Sequence, residues 1–178
     1  MKRAAFTPVG ALIVAAALVI GCGGPQEVKH LETRPLEESK ALEIIAEVVA
    51  DRGFTVQQEV MIEISTKSRF PCDFRVTDHK IAIEYLTEKD RKTIGHIPPA
   101  ASGSRLHVLP AKVVSEDPNA QGEPVYVYFI DERKYLYQYN PTSEVRADVT
   151  FLEVDSRMRR DLADFLSWYE TQRANEKE

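Results

Sequence analysis

CDFRVTDHKIAIEYL, residues 72–86, is the stretch on which the fold turns. Two β-prone runs, Cys72 to Val76 and Lys80 to Leu86, flank Asp78-His79, which predicts a hairpin closed by that pair. On this register Val76 faces Ile81 and Phe74 faces Ile83, building an apolar side. Side chains alternate along a strand, so Asp73, Arg75, Ala82, Glu84 and Leu86 fall on the opposite side, with Asp73 across from Glu84. Facing carboxylates repel unless something cationic separates them. A hard divalent cation such as Mg2+ or Mn2+ would serve. So would Arg75, diagonal to Glu84, pairing with one carboxylate while the other is solvated.

Upstream, Ala41, Leu42, Ile44, Ile45, Val48 and Val49 recur at helical spacing, with Lys40, Glu43 and Glu47 on the other side. This predicts a helix starting near Pro35, its first turn carrying Glu37 and Glu38, and ending at Gly53. Phe54 to Ile64 (FTVQQEVMIEI) predicts a strand, and Lys67-Ser68 a turn. Downstream, 89–104 reads as loop, 105–109 as a strand and 115–124 as a surface loop rich in turn residues. Val125 to Ile130 and Tyr135 to Tyr139 predict a second hairpin around Asp131-Glu132-Arg133-Lys134. Val149 to Val154 predicts a further strand. Asp155 or Ser156 then caps a closing helix with the apolar stripe Met158, Leu162, Phe165, Leu166 and Tyr169. The expected class is α+β, a largely antiparallel or mixed sheet flanked by an N-terminal and a C-terminal helix.

The second hairpin, with a four-residue turn, pairs Tyr128 with Tyr137 and Tyr126 with Tyr139. Five of the seven tyrosines (Tyr126, Tyr128, Tyr135, Tyr137 and Tyr139) then share one face. Such a face either stabilises the sheet through cross-strand aromatic pairs or receives a partner, an envelope protein or a glycan ring.

At the start of the chain, Lys2 and Arg3 precede an uncharged apolar run, Val9 to Ile20, which is too short to span a bilayer and has the layout of a secretory signal. Val19-Ile20-Gly21-Cys22 resembles the lipobox of bacterial lipoprotein precursors. The resemblance implies cleavage before Cys22, lipidation of its sulfur, and attachment to the membrane through the acylated Cys22. Several acyl chains hold a protein far more firmly than one. Gly23 stands where an Asp would signal inner-membrane retention, which favours the outer membrane over the inner. The organisation is then a signal peptide over 1–21, a lipidated tether over 22–35, one domain over 36–173 and a polar tail over 174–178.

Losing the leader leaves 157 residues, enough for one domain with its own core. The mature chain has 21 basic against 28 acidic residues, a net −7. No basic footprint for nucleic acid is present, and anionic headgroups gain nothing from the overall charge. With Cys22 lipidated, Cys72 has no bridging partner, so it reads as a small buried hydrophobe. His30, His79, His96 and His107 are not in metal-ligand spacing, and neither a nucleophile elbow nor a phosphate loop occurs.

Residues 36–86 resemble the core of PD-(D/E)XK nucleases and their inactive relatives: a helix, a strand, the Asp73 strand, then Ile81-Ala82-Ile83-Glu84-Tyr85-Leu86. The resemblance implies metal-binding roles for Asp73 and Glu84, with Glu43 or Glu47 lending a helix carboxylate. Leu86 stands where the family carries its catalytic Lys, and Asp73 follows Pro-Cys rather than Pro. Lys80 or Lys89 would have to substitute. Without them no catalytic set is complete, and the leading expectation is a non-enzymatic binding or scaffolding domain on the membrane surface. The alternative is a metal-dependent hydrolase, or an inactive relative, using Mg2+ or Mn2+ at Asp73 and Glu84.

Overall fold

The computed structural model describes residues 32–65, 68–77, 79–100, 102, 104–115, 122–139 and 149–175. The leader and lipobox, most of the tether, and residues 176–178 lie outside the described residues.

The elements follow in the order β1 (Glu32–Pro35), α1 (Glu38–Asp51), β2 (Val56–Ser65), β3 (Ser68–Val76), β4 (Ile81–Leu86), α2 (Glu88–Ile94), β5 (Val108–Val113), β6 (Glu123–Asp131), β7 (Leu136–Tyr139) and α3 (Val149–Asn175), with a 3-10 turn over Glu132–Lys134. Strands β2, β3, β4, β6 and β5 close in that order into a barrel, and β1 with β7 forms a separate two-stranded ribbon. All barrel neighbours are antiparallel except β4 and β6, which run parallel. The α+β class with a mixed sheet between an N-terminal and a C-terminal helix is therefore the one the sequence implies.

Two cores share the barrel wall. Ala82, Leu86, Val127 and Phe129 belong to the inner cluster with Val60, Ile62, Phe70 and Cys72. Ile81, Ile83, Tyr85 and Ile130 belong to an outer cluster with Ile44, Ile45 and Val49 of α1 and Met158, Leu162, Phe165 and Leu166 of α3. Strand β4 serves both, so all six of its residues are buried. The 3.6-residue period accounts for the helices: the predicted stripe of α3 is buried throughout, and that of α1 except for half-buried Leu42.

The hairpin register holds as read, with Phe74 opposite Ile83 and Val76 opposite Ile81. Cys72 and Phe74, two residues apart, nonetheless sit in different clusters, so β3 turns over at Asp73. Across from it in β2, Glu59 has φ 51°, a left-handed value costly for a residue with a Cβ.

Several expectations are corrected. Residues 32–35, read as tether with the helix beginning near Pro35, form β1, and α1 starts at Glu38. Part of 89–104 is helix α2, opened by Thr87 in a reciprocal capping box with Asp90. The strand read at 105–109 occupies Val108–Val113 instead. Val149 to Val154 is the start of α3, not a strand, because Val154, Met158 and Leu162 continue one buried stripe at four-residue spacing. The second hairpin does not form. Both edges of β6 are already taken, by β4 and β5, so β7 pairs with β1.

Phe165 stacks on Tyr128 at 4.5 Å and Trp168 meets Tyr126 edge-on at 5.7 Å, so α3 covers the outer face of β6. Leu162→Ala should therefore cost about 2–5 kcal/mol, read by urea denaturation. Glu153→Ala on the exposed side should stay within about 0.5 kcal/mol.

Candidate functional site

Asp73 and Glu84 meet where β3 turns over beside β4. The Asp73 backbone N–H donates to Glu84 Oε2 at 3.1 Å, and the Tyr85 backbone N–H donates to Asp73 Oδ2 at 2.7 Å. Glu84 lies between Ala82 and Leu86 on the barrel side of β4 and is 3% exposed. Asp73 is half-buried.

This environment favours a proton. Burial, reinforced by the nearby Asp73 charge, pushes Glu84 up to about 9. Burial also raises Asp73 to about 6, against the Tyr85 N–H bond that favours its charged form, with Glu38 and Asp90 adding repulsion. The Cys72 thiol beside them is driven up by burial and by the two carboxylates, so it stays protonated. Its Sγ lies 3.3 Å from the Ile83 carbonyl. The carboxyls are bonded by the backbone N–H groups of Asp73 and Tyr85, and burial favours the protonated form of Glu84.

Arg75, expected to pair diagonally with Glu84, instead binds Glu123 at the start of β6. Arg75 stands across from Ala82 and is itself part-buried, and its guanidinium goes to Glu123 rather than to Glu84. Arg91 of α2 is held by Asp131 at 2.7 Å and Glu132 at 2.8 Å. Burial alone would raise the Asp131 carboxyl, but hydrogen bonds from Arg133 and Arg91 hold it far below its ordinary value.

The helix carboxylates named from sequence are elsewhere. Glu43 pairs with Lys40 at 2.7 Å and Glu47 with Arg159 at 2.6 Å. The acids whose charge reaches Asp73 are Glu38, in the first turn of α1, and Asp90, in the capping box of α2. Both could be found in the sequence only as helix-end residues, since their approach to Asp73 depends on how the helices pack. Lys89 is exposed on α2. Lys80 stands four residues before Glu84, about 13 Å along the strand, and its backbone N–H donates to the Tyr169 hydroxyl at 2.9 Å. Leu86, at the position of the family's Lys, is 3% exposed and packed inside the barrel. Among the described residues, no group of three or more His, Cys, Asp or Glu side chains is placed to hold a metal ion.

The tyrosine face is corrected as well. Tyr128 and Tyr135 are buried, and Tyr135 donates from its hydroxyl to Asp161 of α3 at 2.9 Å. Tyr126 packs on Trp168, Tyr137 meets Phe151 edge-on at 5.4 Å, and Tyr139 carries the Arg34 guanidinium over its ring at 4.1 Å. An open platform of five rings does not exist, because the rings are divided between the outer core and the ribbon.

No family model, no curated protein and no solved structure matches the chain.

Glu84 fixes the direction of a pH effect. Its folded-state pKa lies above the unfolded value of 4.5. Between 4.5 and about 9 the folded form therefore holds a proton that the unfolded chain has lost. Stability should fall as pH rises through this window, by up to about 1.4 kcal/mol per pH unit. Asp73 adds the same sign between 3.8 and about 6. In urea titrations from pH 5 to 9, Glu84→Gln should flatten the decline and exceed the native protein in stability at pH 9.

Proposed function

We propose that the protein is a non-enzymatic, lipid-anchored domain of the bacterial cell envelope, held by an acylated Cys22, favouring the outer membrane, and binding or scaffolding an envelope protein or glycan. The observation that carries this reading is Val19-Ile20-Gly21-Cys22 at the end of a basic-headed apolar run, ten residues before the first described strand. The chemistry of the domain agrees with it. Leu86 stands where the resemblance expects a Lys and is packed among apolar side chains. No described helix is long and apolar enough to cross a membrane, so acylation is the attachment this reading relies on. A partner surface would lie outside the tyrosine face, since Tyr126, Tyr128 and Tyr135 are engaged by α3.

Expression in a bacterial host tests the anchor directly. The native chain should appear in the membrane fraction with the mass of an acylated Cys22, and Cys22→Ser should run as an unprocessed, unlipidated precursor. An unmodified, cleaved chain in the soluble fraction would sink the reading.

One observation favours a second reading, a metal-dependent hydrolase or its inactive relative. Asp73 and Glu84, the carboxylates that the resemblance of residues 36–86 would make metal ligands, lie on the adjacent strands β3 and β4 and are joined by the Asp73 backbone N–H donating to Glu84. A ligand that binds only the folded state raises the melting temperature. With millimolar Mg2+ or Mn2+ at pH 7.5, the non-enzymatic reading expects a shift below about 1 °C in the native chain. A rise of several degrees, abolished by Asp73→Asn, would make the hydrolase the better account.

A further inference from the structure

The chain enters the folded domain at Glu32, which pairs with Tyr139 at the end of β7. Strand β7 lies along the beginning of α3. Thr150 Oγ1 donates to the Gln138 carbonyl at 3.4 Å, and Arg157 donates to the Lys134 carbonyl at 3.2 Å. The tether therefore arrives beside the first turns of α3.

The surface at this end has two features. Leu136 is 43% exposed and Leu152 is 57% exposed, two of the three large hydrophobic side chains so exposed among the described residues. The acids here are also turned inward. Asp131 is taken by Arg91 and Arg133, and Asp155 by Arg159, leaving side-chain exposures of 14% and 18%. Glu32 is neutralised by Arg34 at 2.6 Å. Among the described residues Lys134, Arg157 and Arg160 are exposed here, Glu153 and Glu32 are the exposed acids, and Arg160 Nε lies 4.0 Å from Asp161. Among the described residues, this end of an acidic chain thus carries two exposed leucines beside three exposed basic side chains.

We propose that this end of the domain is its membrane-apposed face, with Leu136 and Leu152 at the boundary of headgroups and acyl chains and Lys134, Arg157 and Arg160 against anionic phospholipid headgroups. The proposal rests on the anchored reading of Cys22. Apolar side chains beside basic ones are what an interfacial surface requires. Tether length supports the orientation. Residues 22–31 can reach at most about 35 Å. Helix α3, at 27 residues, is about 40 Å long. A domain standing on the far end of α3 would need a tether longer than the chain supplies, which leaves the ribbon end within reach of the bilayer and the far end of α3 outside it.

The test uses the acylated protein reconstituted into phosphatidylglycerol vesicles and into phosphatidylcholine vesicles, followed by amide hydrogen exchange over 131–139 and 149–160. Exchange should be at least about fivefold slower in phosphatidylglycerol, the size expected when a basic group meets an anionic surface. The triple variant Lys134→Glu, Arg157→Glu, Arg160→Glu should lose that difference while keeping its melting temperature. Should the triple variant unfold, Leu152→Ser alone should still reduce the protection. Equal exchange in the two lipids, with Cys22 acylated by mass, overturns the proposal while leaving the anchor intact, and directs this face to a protein or glycan. An unacylated Cys22 removes the anchor and the proposal together.

Discussion

The structure depends on the double burial of β4. Ile81, Ile83 and Tyr85 support both long helices, while Ala82 and Leu86 fill the barrel behind them. A strand with no solvated side has to be covered by layers on both faces, and here one layer is the barrel closing on itself. Its parallel neighbour β6 repeats the division, sending Val127 and Phe129 inward and Tyr128 and Ile130 outward. The Tyr85 hydroxyl donates to the Leu36 carbonyl at 2.6 Å and ties β4 to the segment that opens α1.

Within that constraint, Glu84 is the costly residue. An ionised carboxylate inside an apolar barrel pays a desolvation penalty, and a neighbouring Asp73 increases it. Backbone N–H donors bond both carboxyls, and burial drives the Glu84 carboxyl toward its protonated form. Leu86, two residues on, points the same way as Glu84 and is packed by the same core. Strain at Glu59 lies across from this point, where the sheet bends from one core to the other.

The aromatic residues show how competition between strands redistributes a local pattern. Their alternation in β6 and β7 is real, but β6 finds two better partners in β4 and β5. The displaced β7 takes up β1, and this draws the start of the domain against the start of α3. The tyrosines that would have lined a surface become the seam between sheet and closing helix.

The sequence by itself determined what depends on near neighbours in the chain. Helical spacing revealed the buried faces of α1 and α3, and strand alternation gave the register that puts Phe74 across from Ile83, with Asp73 bonded to Glu84. Thr87 and Asp90 carried the start of α2 in plain view as a capping box, and loop-like glycines and prolines after it obscured the short helix. Only the tertiary structure decided that Glu84 faces a barrel interior, that Glu38 and Asp90 rather than Glu43 or Glu47 approach Asp73, and that Arg75 turns to Glu123. Those outcomes turn on which distant strand occupies each edge and how the barrel closes. Strands far apart in sequence compete for the same backbone hydrogen bonds, and local periodicity carries no information about which of them wins.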